Sequence, residues 1–172
     1  MSELLDRERL LRAFRRLGDE LANERVRAEV VLAGGAVIAL LFDTERVTRD
    51  VDGLIIHGHG PLTKAAQQIA GELGLPRGWL NEGVAVYLST QPDKKRSLVF
   101  DHPHLVIYAS STEHMLALKA RAARAQDLSD IGLLADDLGV TTVAEVLTIV
   151  DRFFPDDPLS PKARATIEDL FG

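Results

Sequence analysis

The feature that most constrains this chain is a pair of glycines, Gly34-Gly35, set between two short apolar runs. Before the pair, Glu29-Val30-Val31-Leu32-Ala33 is apolar and β-branched, the pattern of a buried strand. After it, Ala36-Val37-Ile38-Ala39-Leu40-Leu41-Phe42 reads as a short buried helix. A strand turning at once into a helix points to a mixed α/β fold. Glycines there let another group approach the backbone closely. They also leave N–H groups at the helix start, which suits a phosphate. The plainer reading, a tight strand-to-helix turn, accounts for the same residues.

The flanking sequence extends this frame. Residues 4–26 carry Leu4, Leu10, Leu11, Phe14, Leu17 and Leu21 near helical spacing, an amphipathic helix that Gly18 weakens without ending. Residues 44–49 are a polar link to a second strand, 50–56. A loop is expected at 57–61 and a helix at 63–73, closed by Gly74 and followed by Pro76. Residues 77–83 read as irregular, 84–88 as a strand and 91–96 as a polar turn. Residues 97–100 and 105–108 form a hairpin around His102-Pro103. From Ser110 the character changes: Ser110-x-x-Glu113 is a capping-box signature opening a helix to about residue 124. Helices are then expected at 127–138, 141–154 and 161–170. The expected organisation is an α/β core over 1–109, a small mixed sheet with flanking helices, and a C-terminal helical region over 110–172 packed on it.

Composition narrows the class. The chain has 172 residues, 46% hydrophobic and 27% charged, enough apolar material to bury a core, which excludes a disordered chain. The net charge of −6 argues against a protein that coats nucleic acid non-specifically. There is no cysteine, so disulfides, Cys-zinc sites and thiol chemistry are excluded. The longest apolar run, Val30 to Phe42, is shorter than the ~18–20 residues that span a bilayer. The N-terminus is charged from the start, with no signal-peptide pattern, so no membrane partner and a cytoplasmic location are expected.

The second chemical feature is Arg49-Asp50-Val51-Asp52. On a strand, alternation puts Asp50 and Asp52 on one face and Val51 on the other. Two carboxylates side by side repel, and a divalent cation relieves this. All-oxygen ligation suits Mg²⁺ (or Mn²⁺), which takes one or two carboxylates and leaves its other positions to water and phosphate oxygens. The alternative is a strand end with both charges in water.

Taken together, the Gly-Gly turn, the short helix and Thr48-Arg49-Asp50-Val51-Asp52 resemble the nucleotidyltransferase superfamily, the polymerase-β-like fold. The lysine helix Leu116-Ala117-Leu118-Lys119-Ala120-Arg121 and the segment Asp127-Leu128-Ser129-Asp130 look like those of AbiEii-type toxins. They are also similar to small uncharacterised nucleotidyltransferase-like proteins. The resemblance covers residues 29–138. It implies Mg²⁺-dependent transfer of a nucleoside monophosphate from an NTP to an acceptor hydroxyl on an RNA end, a protein or a small molecule. Gly34, Gly35, Arg49 and Lys119 would bind nucleotide, and Asp50 and Asp52 would hold metal. Asp127 would join Asp50, Asp52 and Lys119 as a catalytic residue, as metal ligand or base. A toxin role with an antitoxin partner is a further implication.

The family usually carries a third carboxylate on a neighbouring strand. Here the expected strands carry none internally, and Asp101 sits at the hairpin edge. That departure supports an alternative: a degenerate nucleotidyltransferase fold serving as a nucleotide-binding or protein-interaction module. Lys119 also reads as the polar face of an amphipathic helix, and Asp127 and Asp130 as first-turn residues favoured by the helix dipole. His57-x-His59 and His102-x-His104 read as exposed loop histidines or, alternatively, metal ligands. Trp79 either packs a loop onto the core or stacks on a base. Lys94-Lys95-Arg96 is a solvated basic turn or a phosphate contact. No nucleophile elbow accompanies the Ser, His and Asp residues, so a hydrolase triad is not expected.

Overall fold

The computed structural model describes residues 4–43 and 45–172; the first three residues, and Thr44 at the start of the polar link, lie outside these. The chain divides into two compact units. The first comprises Met1–Val86 and Arg96–Ser110, and the second comprises Tyr87–Lys95 and Ser111–Gly172.

The first unit is α/β. Its elements run α1 (Arg7–Asn23), β1 (Ala28–Ala33), α2 (Gly35–Leu41), β2 (Val51–His57), α3 (His59–Ala70), β3 (Leu80–Asn81), β4 (Ser97–His102) and β5 (Leu105–Ala109). The five strands form one mixed sheet in the order β3-β2-β1-β5-β4. β1 is antiparallel to β2 and parallel to β5, so the apolar run before Gly34 forms the central strand of the sheet. β4 and β5 form the expected hairpin, and β3 lies parallel to the start of β2.

The amphipathic stripe explains α1. Asp6 caps it by accepting the Arg9 amide at 2.8 Å, and Leu10, Phe14, Leu17 and Leu21 are buried along one side. The helix starts at Arg7 rather than residue 4, because Leu5 is taken up in a backbone bridge to Thr48. Gly18 sits inside the helix where a Cβ would lie 2.7 Å from the ring of His102 on β4. The glycine therefore seats that histidine.

Local corrections have physical causes. The segment 57–61 is not a loop: His57 ends β2, Gly58 turns in the left-handed region at φ +79°, and α3 starts at His59. Pro61 is accommodated in the helix's first turn, where its missing N–H costs nothing. The strand expected at 84–88 is a single 3₁₀ turn, Ala85–Tyr87, with Val86 and Tyr87 83% and 66% exposed, so its apolar residues join no sheet. The strand that does form there is Leu80–Asn81, in the stretch read as irregular.

The second unit is helical: α4 (Thr112–Ala122), a 3₁₀ turn (Ala125–Asp127), α5 (Leu128–Leu138), α6 (Val143–Phe153) and α7 (Pro161–Phe171). α4 packs on α5, α6 and α7. The N-cap of α4 is Ser111, accepting the His114 amide at 3.1 Å, rather than Ser110. Thr142 and Glu145 form a reciprocal capping box on α6.

Segment Tyr87–Lys95 is tied to this unit by a buried knot. The Ser89 amide donates to His114 Nε2 at 3.1 Å. His114 Nδ1–H therefore faces Asp93 Oδ2, at 3.3 Å, and the ring stacks on Phe153 with centroids 4.8 Å apart. Asp93 also accepts the Ser111 amide at 2.9 Å. Burial alone would raise the Asp93 carboxyl, but the His114 and Ser111 hydrogen bonds win and hold it down to about 2, from an ordinary 3.8. A depressed carboxylate stabilises the fold above its unfolded value, and that contribution is lost as pH falls through the folded one. In acid titrations of stability, wild type is expected to exceed Asp93→Asn by roughly 2 kcal/mol near neutral pH, with the difference vanishing between about pH 4 and 2. A difference constant across that range would contradict the assignment.

Candidate functional site

In the first unit the chemistry gathers where β1 ends and β2 begins. Ala33 of β1 pairs with Asp52 of β2, and Gly34 follows with φ +76° and ψ −156°, a conformation open to glycine. A Cβ on Gly34 would stand 3.0 Å from Asp52 Oδ2. A Cβ on Gly35 would meet Thr48 Oγ1 at 3.3 Å. The Gly-Gly turn is thus the floor under the Asp52 carboxylate and beside the Thr48 hydroxyl. Gly34, Gly35, Thr48 and Asp52 are brought together.

Asp50 differs from its expected setting. β2 starts at Val51, so Asp50 lies in a bend just before the strand, exposed, as is Arg49. Asp52 lies on β2 and Asp50 does not, so strand alternation does not set the two carboxylates on one face. Three contacts shape this bend. The Thr48 hydroxyl donates to the Asp50 carbonyl at 3.0 Å, and Thr48 exchanges both backbone hydrogen bonds with Leu5, at 2.8 and 2.9 Å. The Val51 amide donates to the Trp79 carbonyl at 2.6 Å. Trp79 itself is fully buried, its indole N–H donating to the Ala66 carbonyl at 2.9 Å. It packs the loop onto the core and is closed to base stacking.

Asp101 cannot complete this site. It pairs with Val106, which pairs with Glu29, four residues before Ala33 on β1. That places Asp101 about 13 Å along the strands and three strand spacings, about 14 Å, across from Asp52. Among the described residues, no group of three or more His, Cys, Asp or Glu side chains could hold a metal ion. The protein donors at the Gly34 turn are carboxylate oxygens, a set that fits Mg²⁺ completed by water and phosphate and does not fit zinc.

Three of the four paired histidines have partners within the first unit, and His57 is exposed at the end of β2. His59 Nε2 meets Glu82 Oε1 at 2.5 Å, while Glu82 Oε2 accepts the Ile55 amide. His102 Nδ1 accepts the His104 amide at 3.0 Å, so its Nε2–H faces Asp19, and His104 Nδ1 donates to the Val26 carbonyl at 2.6 Å.

In the second unit, Lys119 does not lie on a solvated helix face. It is 14% exposed, with Nζ 3.0 Å from Asp127 Oδ1 and 3.2 Å from Asp130 Oδ2, both aspartates buried. Asp127 Oδ1 also accepts Arg124 Nη2 at 3.2 Å, and Oδ2 accepts the Arg124 amide and Nε at 3.1 and 2.9 Å. Burial would raise the Asp127 carboxyl, but the hydrogen bonds from Arg124 and Lys119 hold it below the ordinary carboxylate range. It is therefore ionised at neutral pH, with both oxygens engaged, and weak as a base. Lys95, from the basic turn, pairs with Glu113 at 3.0 Å.

Sequence reasoning missed the Ser89–Asp93–His114 grouping. Its members lie on a loop and a helix with no local signal, and it is not a hydrolytic triad: Ser89 reaches the imidazole through its amide, and its hydroxyl donates to the Phe153 carbonyl.

No family model matches the sequence, and no curated protein matches it. Among solved structures, the chain is similar to a crystal structure of an antigenic nucleotidyltransferase-like protein from Paracoccidioides brasiliensis. The two are 14% identical with a TM-score of 0.49, over 96% of this chain and 95% of that one. Among the described residues, no helix is long and apolar enough to cross a membrane.

Proposed function

We propose that this chain is a nucleotidyltransferase that moves a nucleoside monophosphate from an NTP to an acceptor hydroxyl. The observation that carries the reading is the Asp52 carboxylate lodged over Gly34, where even a methyl group would meet it at 3.0 Å. A carboxylate held against bare backbone at a strand-to-helix turn sets a cation ligand beside the glycine backbone that would seat a phosphate chain. Mg²⁺, when bound, would stabilise the charge on the attacking and leaving oxygens of an in-line displacement. Asp52 and Asp50 would hold it, and the Gly34-Gly35 backbone would seat the triphosphate. Arg49, exposed beside them, would reach its outer oxygens. In the reaction the acceptor oxygen bonds to the α-phosphorus as the bond to pyrophosphate breaks, and the hydroxyl proton passes to solvent.

For Lys119 the resemblance supports a phosphate contact. The arrangement within the second unit favours Asp127 and Asp130 as the groups that hold and orient that ammonium, over Asp127 as metal ligand or base. RNA, protein or small-molecule acceptors all fit the chemistry, and a toxin with a cognate antitoxin is one setting for it.

The second reading is a binding module that keeps nucleotide and has lost transfer. The position of Asp101, far along and across the sheet from Asp52, favours it. Incubation with Mg²⁺, α-labelled NTPs and total RNA separates the two. Labelled acceptor is expected with wild type, and about 100-fold less or worse with Asp52→Ala. Nucleotide binding with no transfer to any RNA or protein would establish the module instead.

A further inference from the structure

Among the described residues, one buried side-chain polar atom has no hydrogen-bond partner, the hydroxyl of Ser110. The residue is 2% exposed, and a buried hydroxyl left unpaired is costly, so its retention calls for a reason.

Its place in the sheet supplies one. Ala109, the last residue of β5, pairs with Leu32 of β1 through a hydrogen bond from the Ser110 amide to the Leu32 carbonyl at 2.9 Å, which holds Ser110 at the end of the parallel ladder, in register with the next residue of β1. Ser110 therefore stands beside Ala33, and Ala33 pairs with Asp52. Because side chains alternate along strands and paired residues share a face, Asp52, Ala33 and Ser110 form one row on one face of the sheet. Two strand spacings, about 10 Å, separate the backbones of Asp52 and Ser110. The side chain between them is a single methyl group. A cation on Asp52 with a phosphate oxygen beyond it covers about 7 Å between the carboxylate and a hydroxyl donor, which suits this gap.

We propose that the Ser110 hydroxyl, in row with Asp52 across Ala33, is a hydrogen-bond donor to the phosphate oxygens of the bound nucleotide. The assignment rests on the nucleotidyltransferase reading of the Asp52 site. It gives the buried hydroxyl its missing partner. It also makes Ser110 the strand-end residue that faces the ligand on β5, where the chain has no carboxylate. Ser110 contributes a proton to a phosphate oxygen rather than charge to a metal, so the site's affinity for nucleotide depends on it and its affinity for the bare cation does not.

The test is calorimetric titration of full-length wild type, Ser110→Ala and Asp52→Asn with each of the four NTPs in Mg²⁺, with Mn²⁺ alone in parallel and thermal melting of each variant. Ser110→Ala is expected to bind nucleotide about ten-fold more weakly, the loss of one charge-assisted hydrogen bond. Its Mn²⁺ affinity should be unchanged, and its melting temperature equal to or above wild type, since no partnered group is removed. Asp52→Asn should lose Mn²⁺ and nucleotide together. Wild-type nucleotide affinity retained in Ser110→Ala would overturn the proposal and leave the nucleotidyltransferase reading standing. Failure of wild type itself to bind any NTP would overturn both.

Discussion

Asp127→Ala is expected to destabilise the second unit by about 3–5 kcal/mol, the range seen when one partner of a buried ion pair is removed. The carboxylate is wholly buried and every hydrogen bond it accepts comes from Lys119 or Arg124. Its loss leaves the Lys119 ammonium, 14% exposed, against Asp130 alone. It also removes the acceptor of the Arg124 amide at the start of the 3₁₀ turn before α5. Arg124 is largely exposed, so its share of the loss is small, and the cost falls on the buried lysine. Asp127→Asn keeps the shape and part of the hydrogen bonding, and should cost about 1–3 kcal/mol. Denaturant unfolding curves for the two variants check this. A loss below about 1 kcal/mol for Asp127→Ala would mean that Asp127 is not the anchor of this cluster.

The second large effect belongs to Gly34. Its backbone occupies a region that side chains rarely adopt, and alanine there carries strain of about 1–3 kcal/mol before any contact is counted. The added methyl would then press on Asp52 Oδ2 at 3.0 Å. That carboxylate must swing away, and with it the proposed cation ligand. Gly34→Ala is expected to lower the melting temperature and to weaken Mg²⁺-nucleotide binding by about ten-fold or more. Gly35→Ala is the contrast: its Cβ would meet the Thr48 hydroxyl at 3.3 Å, and its φ lies outside the left-handed region, so a small adjustment of Thr48 suffices. Equal behaviour of the two variants would show that the close approach of Asp52 to Gly34 is not what the site depends on.

What the sequence revealed, and what it hid, follows the range of the interactions. β1, the Gly-Gly turn and α2 are legible because β-branched runs, glycines and apolar stretches act within a few residues. Asp52 is legible because alternation is local once β2 is found. Asp50 is not, because its bend is set by Leu5 and by the Trp79 carbonyl, partners remote in sequence. Val84 to Leu88 shows the opposite failure: an apolar, β-branched run that pairs with no strand forms a 3₁₀ turn with Val86 and Tyr87 exposed. The cap of α4 moves from Ser110 to Ser111 because β5 draws Ser110 into its ladder, a tertiary demand that the local capping signature does not register. The Lys119 cluster was half visible. The sequence shows the lysine and both aspartates, and folding of α4 against α5 joins them into one buried charge group.

On the proposed function, the Gly34–Asp52 turn is where a divalent cation and a nucleotide meet. Amide NMR of the labelled protein titrated with Mn²⁺ and an NTP tests it most directly, because paramagnetic broadening falls off steeply with distance from the metal. The amides of Gly34, Gly35, Asp52 and Gly53 are expected to broaden first, and Asp52→Asn to abolish the effect. Broadening centred elsewhere, for example on His57 and His59, or unchanged in Asp52→Asn, would contradict it.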